Sequence, residues 1–125
     1  MAHQFKRIDH VAVHVADLRR SVEFYERHFG FRPYFQHSTA GREIAYLRLG
    51  DGVLELTRDP GAAISGFHFC LEVENLAAAV ADLQARGVAM MRAPHQTPAR
   101  HPGEAGWRRV VFSGPDGEQI ELRGK

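Results

Sequence analysis

The chain has 125 residues, 44% of them hydrophobic and 25% charged, which suits one small globular body and excludes both a disordered chain and a large multi-domain enzyme. Sixteen Lys and Arg against 15 Asp and Glu give a formal charge of +1, so there is no broad field for gripping a phosphate backbone and nucleic acid is not expected as a partner. No apolar run approaches the roughly 20 residues that span a bilayer, and Met1 to Arg7 lacks the apolar stretch of a secretory signal. A cytoplasmic protein with no membrane partner is expected. The single cysteine, Cys70, permits no internal disulfide and no multi-cysteine centre, which leaves any metal to the eight His and the carboxylates.

In chain order, the first element is one half of a repeat. Ile8-Asp9-His10-Val11-Ala12-Val13-His14-Val15-Ala16-Asp17-Leu18 returns 58 positions later as Gly66-Phe67-His68-Phe69-Cys70-Leu71-Glu72-Val73-Glu74-Asn75-Leu76. Both copies alternate with period two: Val11, Val13 and Val15 match Phe69, Leu71 and Val73, so each reads as a strand with one apolar face. His10 and His68 fall on the other face. Asp17 and Asn75 then read as helix N-caps, and the helices they open stop near Gly30 and Gly87. The rest of the first half gives three short strands, about Pro33 to His37, Glu43 to Leu49 and Val53 to Arg58, with turns at Thr39-Ala40-Gly41 and Gly50-Asp51-Gly52. The second half gives Val88 to Arg92, Arg108 to Phe112 and Glu118 to Arg123, with a long loop from Ala93 to Trp107 and a Pro115-Asp116-Gly117 turn. The fold expected is therefore α+β: two tandem βαβββ modules, about residues 7–59 and 66–123, in a single domain.

The last strand of each half holds a carboxylate in an apolar frame, Val53-Leu54-Glu55-Leu56 and Gln119-Ile120-Glu121-Leu122. Alternation sends both Glu side chains to the face opposite their Leu and Ile neighbours, the face that His10 and His68 also occupy. Two imidazoles and two carboxylates at equivalent positions form a donor set suited to one divalent ion, with room left for water or substrate.

These residues resemble the vicinal oxygen chelate superfamily, which includes glyoxalase I, methylmalonyl-CoA epimerase, fosfomycin-resistance enzymes, extradiol dioxygenases and bleomycin-binding proteins. The resemblance runs from Arg7 to Arg123. It rests on Ile8 to Val13, Asp17 to Tyr25, Gly30-Phe31, Val53 to Leu56, Phe67 to Phe69 and Gly114 to Leu122. It implies curved mixed sheets around a metal cup, with His10, Glu55, His68 and Glu121 as ligands of a divalent metal, Ni or Zn first and Co, Mn or Fe next. Within the superfamily glyoxalase I is the closest pattern, because it fills all four places. Epimerases usually carry an amide where Glu55 stands. The implied reaction is proton abstraction next to a carbonyl chelated by the metal, with Glu121 as the first choice of base and Glu55 the second. The alternatives are an epimerase or extradiol-type dioxygenase of the same fold, or a non-enzymatic protein that binds a drug or metabolite. Glutathione-using glyoxalases commonly have Arg four residues after the first His and Asn four after the first Glu; here those places hold His14 and Asp59. The resemblance also implies a small-molecule substrate and a homodimer whose sites are shared between chains.

Other residues get simpler readings. Cys70 is expected as a small buried filler rather than a nucleophile. Phe24, Tyr25 and Phe29 are expected in the core of the first helix. His95, Arg100, His101 and Arg109 are candidates for meeting an anionic substrate from the long loop, and Trp107 for closing the pocket or anchoring that loop.

Overall fold

The computed structural model describes residues 6–61 and 67–125. They fall into two compact units, Met1–Ala62 and Ala63–Lys125. In the first unit β1 (Val11–Val15) leads through α1 (Leu18–Phe29) to β2 (Arg32–Thr39), β3 (Arg42–Leu49) and β4 (Gly52–Arg58). The sheet order is β1-β4-β3-β2, with β1 parallel to β4 and the other pairs antiparallel. The second unit repeats this scheme with β5 (His68–Glu72), α2 (Leu76–Ala85), β6 (Met90–Gln96), β7 (Arg108–Ser113) and β8 (Gln119–Gly124), in the order β5-β8-β7-β6. The two βαβββ modules expected from the repeat are thus two helix-on-sheet units. Among the described residues no helix is long and apolar enough to cross a membrane. Met1 to Phe5, the Gly66 that opens the second repeat, and residues 62–65 of the connection from Asp59 to Ser65 lie outside the described residues.

Packing under the helix decides which way each strand faces. Val13 and Val15 of β1, Ala45 and Leu47 of β3, and Leu54 and Leu56 of β4 are buried, and α1 contributes Leu18 and Tyr25 to the same core. Each fully buried aliphatic side chain contributes about 1.5–3 kcal/mol, and a one-residue slip would send the whole set to the other face, so the register is strongly specified. In the second unit Val110, Phe112, Ile120 and Leu122 form the core with Leu76 and Leu83 of α2. Both helices start as expected: Asp17 Oδ1 accepts the Arg20 N–H at 3.0 Å and Asn75 Oδ1 that of Ala78 at 3.0 Å, caps that contribute about 1 kcal/mol each. Gly30 ends α1 with φ 75°, a left-handed conformation that glycine adopts freely.

Three expectations need correction. The sixth strand begins at Met90 rather than Val88 and runs to Gln96, so Ala93 to Gln96, His95 included, are strand rather than loop. Two register shifts along β6, and its place at the sheet edge, let it carry Pro94 without breaking the ladder. Of the three aromatic residues assigned to the core of α1, only Tyr25 is fully buried; Phe24 and Phe29 are half-buried. Cys70 is exposed, not a buried filler.

The Gly114-Pro115-Asp116-Gly117 turn wraps a buried carboxylate. Glu118 is fully buried and its Oε1 accepts the Asp116 N–H at 2.9 Å, while a Cβ on Gly114 would stand 2.2 Å from the Glu118 carboxyl carbon. A side chain at Gly114 would displace that carboxylate from its seat, so the glycine keeps Glu118 in place at the entry into β8.

Candidate functional site

In the first unit Ala12 of β1 sits directly across from Glu55 of β4. His10, two residues earlier, shares that face, and its Nε2 lies 3.3 Å from Glu55 Oε2. The Asp9 carboxylate holds the other ring nitrogen, Nδ1, at 3.0 Å. That hydrogen bond raises the His10 pKa above its ordinary value; desolvation works against it and the nearby Glu55 charge adds to it. The second Glu55 oxygen, Oε1, accepts the Tyr46 hydroxyl at 3.0 Å, and Tyr46 is the β3 residue directly across from Glu55. Donating to a carboxylate holds the phenol proton in place and raises the Tyr46 pKa.

The second unit builds the corresponding pair. Cys70 of β5 stands across from Glu121 of β8, as Ala12 does from Glu55, and His68 Nε2 lies 3.5 Å from Glu121 Oε1. Along the chain the two His are 58 positions apart and the two Glu 66, because the second half has the longer loop. Strand register restores the equivalence. The partners differ, however. Glu121 is buried, at 4% exposure, and its Oε1 is 2.9 Å from Arg109 Nη2, while Arg123 Nη1 is 4.0 Å from Oε2. Arg109, considered above as a contact for an anionic substrate, is engaged with this carboxylate. Although Cys70 is exposed as a residue, its thiol sits against Glu121, and desolvation followed by the Glu121 charge pushes its pKa up to about 12. That direction disfavours the thiolate, the form in which a cysteine acts as a nucleophile.

Each unit thus supplies one imidazole and one carboxylate. Among the described residues no group of three or more His, Cys, Asp or Glu is gathered around a common point. The pairs nevertheless suit a divalent cation. Asp9 on Nδ1 is the carboxylate partner that orients ligating imidazoles in metal sites, and it leaves Nε2 aimed toward Glu55. Neutral imidazole and carboxylate oxygen are donors that Zn, Ni, Co or Mn accept.

Sequence reasoning missed two residues. Tyr46 was findable, since Ile44, Tyr46 and Arg48 alternate with the buried Ala45 and Leu47 and so share the face of Glu55. Glu104 had no comparable signal. It lies in a short 3-10 turn, Pro102–Glu104, at 1% exposure. Its carboxylate takes hydrogen bonds from the Arg100 side chain and from the Arg100 backbone N–H at 2.9 Å, and Arg123 Nη2 lies 3.4 Å from Oε1. The loop that holds Arg100 and His101 stays exposed but is organised around a buried carboxylate; Trp107 closes it with a backbone bond to Glu104 O at 3.0 Å. The Arg100 hydrogen bonds lower the Glu104 pKa to about 2. A carboxylate with a depressed pKa stabilises the fold above its unfolded value and loses that contribution as pH falls through the folded one. Glu104→Gln is therefore expected to lower the melting temperature by several degrees at pH 7. The gap should close as pH falls from about 5 toward 2. Melts of both proteins across that range check this, and a constant gap would remove the carboxylate from the account.

One further pair matters for substrate choice. His14 Nδ1 and Asp59 Oδ2 are 3.7 Å apart, so the two places where Arg and Asn commonly stand in glutathione-using glyoxalases hold side chains that face each other.

Comparison with known proteins adds a second line of argument. The family model described as Glyoxalase/Bleomycin resistance protein/Dioxygenase superfamily matches residues 7–122. The mitochondrial methylmalonyl-CoA epimerase of Homo sapiens is 31% identical over 99 residues, which are 66% of this chain and 54% of that protein, so the chain spans about half the length of this curated relative. TnmS3, an antibiotic binding protein from Streptomyces sp. CB03234, superposes with a TM-score of 0.80 at 24% identity, covering 98% of each chain. The fosfomycin resistance protein FosX from Listeria monocytogenes, solved with Mn(II) and a sulfate ion, gives a TM-score of 0.75 at 13% identity over 98% of this chain and 94% of that one. At these identities the two structures speak for the fold alone.

Proposed function

Because the chain belongs to the Glyoxalase/Bleomycin resistance protein/Dioxygenase superfamily, we propose that it is a divalent-metal-dependent isomerase that removes a proton from the carbon next to a carbonyl and returns one. The observation that carries this reading is the matched His–Glu pair in each unit, His10 with Glu55 at 3.3 Å and His68 with Glu121 at 3.5 Å. In this proposal His10, Glu55, His68 and Glu121 hold the cation, which supplies Lewis-acid polarisation of the substrate carbonyl when bound.

The remaining chemistry belongs to the side chains. Glu121 takes the proton; Arg109 and Arg123 keep its carboxylate oriented while it does so. Asp9 fixes the His10 ring and Tyr46 fixes the Glu55 carboxylate, so neither has to reorganise when substrate enters. Inverting a stereocentre takes one proton-carrying group for each face of the flattened carbon, and two carboxylates, Glu55 and Glu121, fill that requirement. Similarity to the epimerases supports a substrate of the acyl-thioester class and return of the proton to the same carbon. Glyoxalase I-type chemistry, with the proton moved to the adjacent carbon, is the second reading, and the carboxylate at position 55 favours it.

Proton exchange in D2O, followed by NMR for methylmalonyl-CoA and for the hemithioacetal of methylglyoxal with glutathione, separates the two. Chelator-sensitive exchange is expected for the thioester; no exchange in either substrate with any divalent metal overturns the reading and favours a protein that only binds. The glutathione hemithioacetal is expected to be a poor substrate, below the usual enzyme range of about 10⁴–10⁸ M⁻¹s⁻¹ in kcat/KM, because His14 and Asp59 are engaged with one another where the tripeptide would be held. Efficiency within that range would shift the assignment to glyoxalase I. The homodimer implied by the resemblance is part of the same proposal, and sedimentation of the active species tests it; an active monomer would sink it.

A further inference from the structure

The first unit carries more on its His10–Glu55 face than the proposed chemistry uses. The β2–β3 register shifts between Pro33 and Phe35, and the irregularity turns two consecutive aromatic residues toward one partner ring. Tyr34 and Phe35 have their ring centroids 6.3 and 6.1 Å from that of Tyr46, whereas neighbours on a regular strand point to opposite faces. His37 lies parallel to Tyr46, with 12° between the planes at 6.0 Å, and the Tyr46 hydroxyl ends on Glu55. Despite their size Tyr34 and Phe35 are 48% and 56% exposed. A continuous set of exposed rings next to ligand-type side chains is a surface built for contact.

One end of this floor is cationic. Arg48 places its guanidinium carbon 4.4 Å above the centre of the Tyr34 ring, and Arg32 is its direct cross-strand neighbour. Like charges directly opposite on a sheet repel, and among the described residues neither guanidinium pairs with a carboxylate. Tyr34 and Arg48 also border a cavity of about 320 Å³ that leaves room at this end; Arg7, Asp9 and Asp51 line it too, so the anion's place is over the Arg32–Arg48 pair rather than deep in the cavity.

We infer that Tyr34, Phe35 and Tyr46, with Arg48 and Arg32 at their edge, form a binding platform for a flat unsaturated or aromatic group that bears a negative charge, carried by the substrate whose carbonyl reaches Glu55. The placement of that carbonyl rests on the function proposed above; the platform itself does not. Flat π systems gain from ring stacking as well as from area burial, and saturated rings of the same size gain only from area. The guanidinium pair accepts an anion at a site where each of them otherwise faces a like charge.

The test is titration calorimetry of the full chain with three matched probes: 2-naphthoate, its saturated counterpart decahydro-2-naphthoate, and the uncharged 2-naphthamide. It is run once with a chelator and once with zinc. The expected result is 2-naphthoate binding about tenfold or more tightly than either other probe, in both conditions. Phe35→Leu, which keeps the apolar bulk, should erase the preference over the saturated acid, and Phe35→Tyr should restore it. Arg48→Gln should reduce 2-naphthoate to the level of 2-naphthamide. Equal affinity of the flat and saturated acids overturns the platform. So does a Phe35→Leu chain that changes its sedimentation but not its probe affinities, because a second copy would then be what covers the rings. Intact naphthoate preference without any proton exchange would overturn the proposed reaction and leave the platform standing.

Discussion

Glu121→Gln is expected to bind a divalent metal and to lose about 10² to 10⁴-fold in turnover, the range that a positioned general base contributes. The amide keeps a carbonyl oxygen for Arg109, which now sits 2.9 Å from Oε1, and it fills the same buried space on the face of β8. What it cannot do is accept a proton. Circular dichroism should show the native fold, and exchange of the substrate proton at saturating substrate should report the loss. A variant with full turnover would move the base to Glu55, whose oxygens are held by Tyr46 and His10.

The second large effect concerns the metal. His68→Ala and His10→Ala should each weaken divalent-metal affinity by more than about 100-fold, beyond the roughly 10- to 100-fold range typical of losing a group that merely orients a ligand. Asp9→Asn provides the internal comparison. It removes the charge that holds His10 Nδ1 at 3.0 Å without removing a donor to the cation, so its loss should stay within that smaller range. Competition against a chromophoric chelator measures all three without any substrate. Unchanged affinity in both alanine variants would mean that the paired imidazoles do not bind metal, and the proposed chemistry would fall with them.

Each carboxylate has an imidazole beside it, but two arginines complete the surroundings of Glu121 where a phenol completes those of Glu55. This difference was not legible in the chain. Alternation along β8 already puts Arg123 on the face of Glu121, but Arg109 lies 12 positions away, and only the β7–β8 ladder, in which Val111 faces Glu121 and Arg109 faces Arg123, brings it to the same carboxylate.

Much else was legible, and for a local reason. Period-two alternation in Val11 to Val15 and Val53 to Leu56, the Asx caps at Asp17 and Asn75, and the glycine that ends α1 are short-range features whose energetics involve neighbours a few residues apart. A repeat then doubles the signal, so the two βαβββ modules and the shared face of His10 with Glu55 and of His68 with Glu121 could be read before any packing was known. Tertiary structure decided what depends on long-range contacts. Pro94 is tolerated in β6 because that strand is an edge, a property of sheet order. Glu104 is buried because Arg100 and Arg123 meet it from separate parts of the chain. Tyr34 and Phe35 converge on Tyr46 because a register shift breaks the alternation that the sequence pattern assumes. Local periodicity reports which face a side chain prefers; only the packed chain determines which distant charge or ring it meets there.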